Sequence, residues 1–331
     1  MILSFLILPL LLSLSFAYPI HSEEYSFLWG AWKSIHAKTY PRGEEEGRRF
    51  SIFRENYNRI LKFNAENNGV KFALNKFADL TNEEFKQIYL GYIQLEEDQK
   101  LIEAQMIEFK SQDQNVLPVS VDWRQKKIVT PVKDQSRCGA CWAFSAVAAL
   151  ESLNAIKTSQ LDSFSEQQII DCDDQSYGCG GGLTHNAFIY AAKNGLQHEK
   201  DYPYVAHDQK CRYNQSETSQ VNANFSFVPP KNVTALKIAV TAQPVSVAID
   251  ADQDLFQFYS SGVIGGNCHD KLNHAVLVVG YDVIDGKEAW IAKNSWSSAW
   301  GNAGYVYIST SDKANHGAGV CGILSQPVIP N

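Results

Sequence analysis

The sequence predicts an α+β fold of two subdomains behind a mainly helical leading segment. Three observations carry this expectation: a cysteine-free, charged helical stretch over residues 18–116, an apolar helix starting at Cys141, and short β-rich runs after about residue 228. The 331 residues are 45% apolar and 20% charged, which excludes wholesale disorder, collagen and coiled coil. A net charge of −7 argues against nucleic acid, whose phosphates select a basic face. At about 150 residues per domain, two units are expected.

Residues 2–17 are uncharged and apolar, and Ser15 and Ala17 are small residues at the −3 and −1 positions of a cleavage site. Residues 1–17 therefore read as a secretory signal peptide. An uncleaved anchor is the weaker reading, because the run falls short of the roughly 20 residues that a span needs and Pro9 interrupts it. No later stretch suits a bilayer, so no stable membrane insertion is expected. Residues 44–64 place Phe50, Phe53, Tyr57, Ile60 and Leu61 at helical spacing, with charges opposite. Thr81-Asn-Glu-Glu84 reads as a helix start with a capping box. Residues 91–116 turn to Gln, Glu, Asp and Lys and read as an exposed, easily cut linker. The division suggested is a pro-region, 18–116, ahead of a mature domain, 117–331.

In the mature part, Cys141–Lys157 carries Trp142, Phe144, Ala148, Leu150 and Leu153 without Gly or Pro, which predicts a buried helix. Ser165 is the expected N-cap of a second helix running to Ile170. Val245–Ile249, Ala275–Val279, Ala289–Ile291 and Tyr305–Ile308 read as strands.

The seven cysteines all lie in this part, and an exported chain is expected to form disulfides. Seven is odd, so a thiol is left over; seven choices of that thiol times 15 pairings of the other six leave 105 arrangements open. Cys138-Gly-Ala-Cys141 is not a convincing zinc half-site, because no second half-site follows at finger spacing. A thioredoxin-type dithiol would need a surrounding βαβ pattern, which is missing. Two structural half-cystines would leave the odd thiol unexplained. Cys141 at a helix start is well placed as a nucleophile, since a helix N-terminus carries roughly +0.5 of a charge and favours thiolate.

Cys138-Gly139-Ala140-Cys141-Trp142 resembles the active-site signature of the papain family of cysteine proteases, of the cathepsin L type. The resemblance covers nearly the whole chain. Asp122-Trp123-Arg124 and Thr130-Pro131-Val132-Lys133 precede the motif, and Asn273-His274-Ala275 and Lys293-Asn294-Ser295-Trp296 follow it. It implies a papain-like fold with a helical and a β-barrel-like subdomain, and an endopeptidase needing no metal or cofactor. Cys141 matches the nucleophile, His274 the general base and acid, Asn294 the side chain orienting the imidazole, and Gln135 the oxyanion-hole donor. Trp296 matches an indole shielding the His–Asn bond. Gly181 and Gly182 match the loop that pairs with a substrate backbone, and Asn273 falls beside the general base. Leu183, Thr184, Ala248, Leu272 and Ala275 match the pocket for the second residue before the cut, which predicts Leu, Val or Phe there. Its floor falls on Ser325 or Gln326, and a polar floor would admit Arg. Ser297 stands where a glycine usually follows Asn-Ser-Trp.

The resemblance also selects one disulfide set: Cys138 with Cys179, Cys172 with Cys211, and Cys268 with Cys321. Glu45, Arg49, Phe53, Asn56, Ile60 and Asn64 fit the first motif of cathepsin L-type propeptides. Ala73-Leu-Asn75-Lys-Phe77-Ala-Asp79 fits the second, with Ala73 replacing its glycine. The implied partners are protein and peptide substrates, cystatin-type inhibitors, and the chain's own propeptide, laid through the cleft in the non-productive direction; the implied state is a monomer. The mature terminus is expected near Leu117, in an extracellular or lysosome-type compartment.

Other motifs give weaker signals. Gly178-Cys-Gly-Gly-Gly182 lacks the Gly-Lys-Ser/Thr of a phosphate loop. Asp250-Ala-Asp252-Gln-Asp254 mimics a calcium loop but has Leu255 where Gly is needed, so a solvated acidic loop is expected. Asn214, Asn224 and Asn232 head glycosylation sequons. The mixed charges of residues 42–66 predict ion pairs that weaken in acid, loosening the pro-region. A silent papain-like binding protein and a thiol–disulfide oxidoreductase are the alternatives from other classes.

Overall fold

The computed structural model describes residues 22–66, 69–94, 98–106, 117–219, 224–266 and 268–331. The expected signal peptide lies outside these residues, as does most of the stretch just before Leu117.

The leading segment builds a small helical unit. Helices Ser22–Ile35 and Glu44–Ala65 meet around Trp29, Trp32, Phe53 and Ala78. The inward face of the longer helix is Ile52, Phe53, Asn56 and Ile60; Leu61, expected inside, is 41% exposed. The reason is polar: Asn56 spends its amide on the carbonyls of Ala78 and Leu80, both 2.9 Å away, which turns that face toward the following loop. Thr81 caps helix Asn82–Tyr89 through the reciprocal capping box with Glu84.

The mature part has one apolar cluster in each half. In the first half, helix Cys141–Thr158 is buried along nearly its whole length and packs against Thr184–Asn194. Ser165 caps Glu166–Cys172 by accepting the Gln168 N–H. In the second half, strands run in the order Phe225–Phe227, Val328–Pro330, Val245–Ile249, His274–Ile284, Lys287–Lys293, Tyr305–Ser309 and Val263–Ile264. Val121–Asp122 adds to the flank of His274–Ile284. The central strand pairs antiparallel on both sides, placing His274 opposite Ile249 at one sheet end. That end faces the N-terminus of the Cys141 helix: Ser145 donates to the Val276 carbonyl at 2.9 Å.

Two further expectations are corrected. Residues 91–116 are not simply a linker: Tyr92 is buried, and helix Asp98–Ala104 buries Ile102 against the mature part. A polar composition hides such single apolar anchors. The acidic loop is not wholly solvated either. Asp250 is 1% exposed and accepts bonds from Asn273, Gln253 and the His269 N–H. No helix among the described residues is long and apolar enough to cross a membrane.

Candidate active site

Cys141 is the first residue of its helix and the one cysteine left free. The other six form Cys138–Cys179, Cys172–Cys211 and Cys268–Cys321. The first bridge ties the turn before the helix to the glycine-rich loop, so two parts of the same side of the site are covalently joined.

The thiol is completely buried, and this pushes it up to about 11, against the pull of nearby backbone N–H groups including those of Ala275 and Gly91. Desolvation therefore outweighs the helix terminus here. His274, from the sheet end, is equally buried, which drives it down to about 4 although Asn294 pulls the other way. Its Nε2 lies 2.8 Å from Asn294 Oδ1, and its Nδ1 has no partner among the described residues. Held this way, Nε2 carries the proton and Nδ1 offers the lone pair. Trp296, itself fully buried, stacks on the imidazole with centroids 4.5 Å apart.

Gln135 is fixed by its carbonyl, which accepts from Ser295 Oγ at 2.6 Å and Trp296 Nε1 at 3.1 Å. Its amide points the other way, donating to the carbonyls of Cys138 at 2.8 Å and Tyr89 at 3.0 Å. Tyr89 belongs to the leading segment, whose next residues run through the groove between the two halves. The Gly182 N–H donates to Gly91 O at 2.9 Å, the Ile93 N–H to Gly182 O at 3.1 Å, and the Tyr92 N–H to Asn273 O at 3.0 Å. The Tyr92–Gly182 pairing is parallel. Closeness here depends on glycine: a Cβ on Gly91 would sit 1.8 Å from the Gly139 carbonyl oxygen, and one on Gly182 would meet the Trp142 ring at 2.7 Å. Leu183, Thr184, Ala248, Leu272 and Ala275 are all buried around the same groove, and Gly181 approaches the Gly91 carbonyl.

Residues 117–331 match the model described as papain family cysteine protease, and residues 29–85 match that of the cathepsin propeptide inhibitor domain. The chain belongs to the papain family of cysteine proteases. It is 43% identical over 319 residues to a KDEL-tailed cysteine endopeptidase of Arabidopsis thaliana, covering 94% of this chain and 87% of that one. It is 40% identical over 304 residues to chymopapain of Carica papaya, covering 92% and 86%. Among solved structures it superposes on a recombinant stem bromelain precursor with a TM-score of 0.85, at 38% identity, covering 93% and 98% of the chains. The protease is thus a papain-like cysteine-type endopeptidase carrying its own inhibitory prosegment.

Sequence reasoning placed the prosegment in the cleft but missed the side-chain contacts that seat it there. Lys76, largely buried, bonds Asp134 at 2.6 Å beside Gln135. Phe77 and Phe85 pack edge-on against Trp296 with centroids 5.4 and 5.3 Å away. Burying such a ring is worth about 1.5–3 kcal/mol by area, shared here between folding of the prosegment, where Phe77, Phe85 and Tyr89 pack together, and its docking. The signal available in sequence was the Gly91-Tyr92 pair between a helix and a polar tract. The sequon asparagines of the protease, Asn214, Asn224 and Asn232, are all exposed. Asn232 also caps a helix through Oδ1, which accepts the Ala235 N–H.

Proposed function

We propose that the protease is a secreted zymogen in which Cys141, His274, Asn294 and Gln135 perform the chemistry. The observation supporting this reading is the free thiol at a helix N-terminus, beside the strand end whose imidazole is held by Asn294. With the prosegment gone, His274 Nδ1 takes the Cys141 proton and the thiolate attacks the peptide carbonyl carbon. The oxyanion is met by Gln135 Nε2 and the Cys141 N–H. Collapse expels the amine, which leaves with the proton from His274. Water, deprotonated by His274, then hydrolyses the acyl-thioester, and the thiol is regenerated.

Seated, the prosegment holds this pair in its neutral form, because both groups are dry. Cleavage near Leu117 in an acidic compartment of the secretory pathway, or after export, would release it. The three sequons suit glycosylation, and the processed form acts as a monomer open to cystatin-type inhibitors.

Active-site labelling tests the reading. Acid-processed protein is incubated with an epoxysuccinyl inhibitor, digested without reduction and mapped by mass spectrometry. A single adduct on Cys141, with three bridges intact, is expected. Folded, processed protein that takes no label there overturns it.

A further inference from the structure

The pocket beside Gly182 is filled by a side chain of the chain itself. Tyr92 is 8% exposed and lies in the same apolar cluster as Leu183, Ala248, Leu272 and Ala275. Its backbone is held between Asn273 on one wall and Gly182 on the other. Its phenol donates to Gln326 Oε1 at 2.5 Å, and Gln326 is itself 7% exposed. Of the two floor candidates, Gln326 is therefore the one that meets the occupant. The pocket has apolar walls and a carboxamide at its far end.

Resting on the protease reading above, we propose that Gln326 makes tyrosine the preferred residue two positions before the cut, ahead of Phe, Leu and Arg. A Phe or Leu side chain fills the walls but leaves the buried amide without a partner, and a site built to bond a hydroxyl rejects the analogue lacking it. A phenol satisfies the amide from either end, since Oε1 accepts and Nε2 donates. An arginine would bring a charge to a neutral amide and gain no counter-ion from it. Because Tyr92 pairs in parallel with Gly182, the prosegment presents the favoured side chain on a reversed backbone. It occupies the pocket without offering its own peptide bond in the orientation of a substrate.

The test compares acid-processed wild type and Gln326→Leu on four otherwise identical fluorogenic peptides with Tyr, Phe, Leu or Arg at that position, normalised to active sites titrated with the epoxysuccinyl label. Wild type should favour Tyr over Phe in kcat/KM by about fivefold, the size of one net hydrogen bond. In Gln326→Leu the ratio should fall to one or below. In the full-length chain, Tyr92→Phe should speed acid processing by a similar factor, but add nothing when Gln326 is already Leu. A Tyr:Phe ratio of one in wild type, or a ratio unchanged by Gln326→Leu, overturns the proposal while leaving the protease reading intact. Failure of both forms to cleave any peptide or take the label at Cys141 would instead count against the protease reading.

Discussion

The side-chain amide of Gln135 donates to the carbonyl oxygen of Tyr89, 46 residues upstream, at 3.0 Å. The group proposed to hold the reacting oxyanion is thus engaged by a prosegment carbonyl until processing. Gln135→Ala should lower kcat of the processed enzyme by about 10²–10³ with little change in KM, the usual loss for one oxyanion donor. Steady-state kinetics decide it; an unchanged kcat would remove Gln135 from the chemistry.

Gly91 is the tightest point of the inhibitory contact, with a Cβ there 1.8 Å from the Gly139 carbonyl oxygen. Gly91→Ala should keep the prosegment from seating, at a cost of about 1–3 kcal/mol. The measurement is the rate at which Cys141 in the uncleaved zymogen takes an epoxysuccinyl label. A rise of about tenfold or more is expected, and a rate equal to wild type would place the block elsewhere.

Acid sensitivity of the prosegment has a defined sign and window. Hydrogen bonds from Arg48 and Arg49 hold Glu45 down to about 2, and Lys33 lowers Glu46. Burial pushes Glu84 up, but the Thr81 N–H and the same two guanidinium groups outweigh it and leave it below its ordinary value. Depressed carboxylates stabilise fully above their ordinary pKa of 4.5 and lose that contribution as pH falls toward about 2. Helical signal and protease resistance of the zymogen's prosegment should therefore decline below pH 4.5, with a shallower decline in Glu45→Gln. Loosening complete above pH 5 in wild type would show that other groups control release.

Ser297 adopts φ 71, a left-handed conformation that burdens a residue with a Cβ. Its hydroxyl recovers part of this by accepting the Ala299 N–H at 3.1 Å. Ser297→Gly should stabilise the protein by a net of about 0.5 kcal/mol, raising Tm by roughly 1–2 °C. Calorimetry showing a lower Tm would mean that the Oγ bond outweighs the backbone strain.

What was legible in the sequence was local. Thr81 and Ser165 announce helix starts because a cap acts within three residues, and Val245–Ile249 reads as a strand from its own composition. His274 and Asn294 were legible through the motifs around them. What stayed hidden depends on partners far along the chain. Tyr92 and Gln326 are 234 residues apart, and nothing near either one marks the contact. Asp250 looks like a surface acid until Asn273 and the His269 N–H converge on it. Leu61 obeys the helical period yet faces outward, because Asn56 sets the rotation of that helix.

The complete burial of Cys141 also bears on how its thiol would fare in an oxidising compartment. Three residues away, Cys138 is already committed to Cys179, so the remaining thiol, once uncovered, is a ready partner for stray disulfides and peroxide. The strand of prosegment laid over it is a seal as well as a plug. It keeps the nucleophilic sulfur fresh in storage, and the shelf life of the enzyme starts running only when that seal is cut.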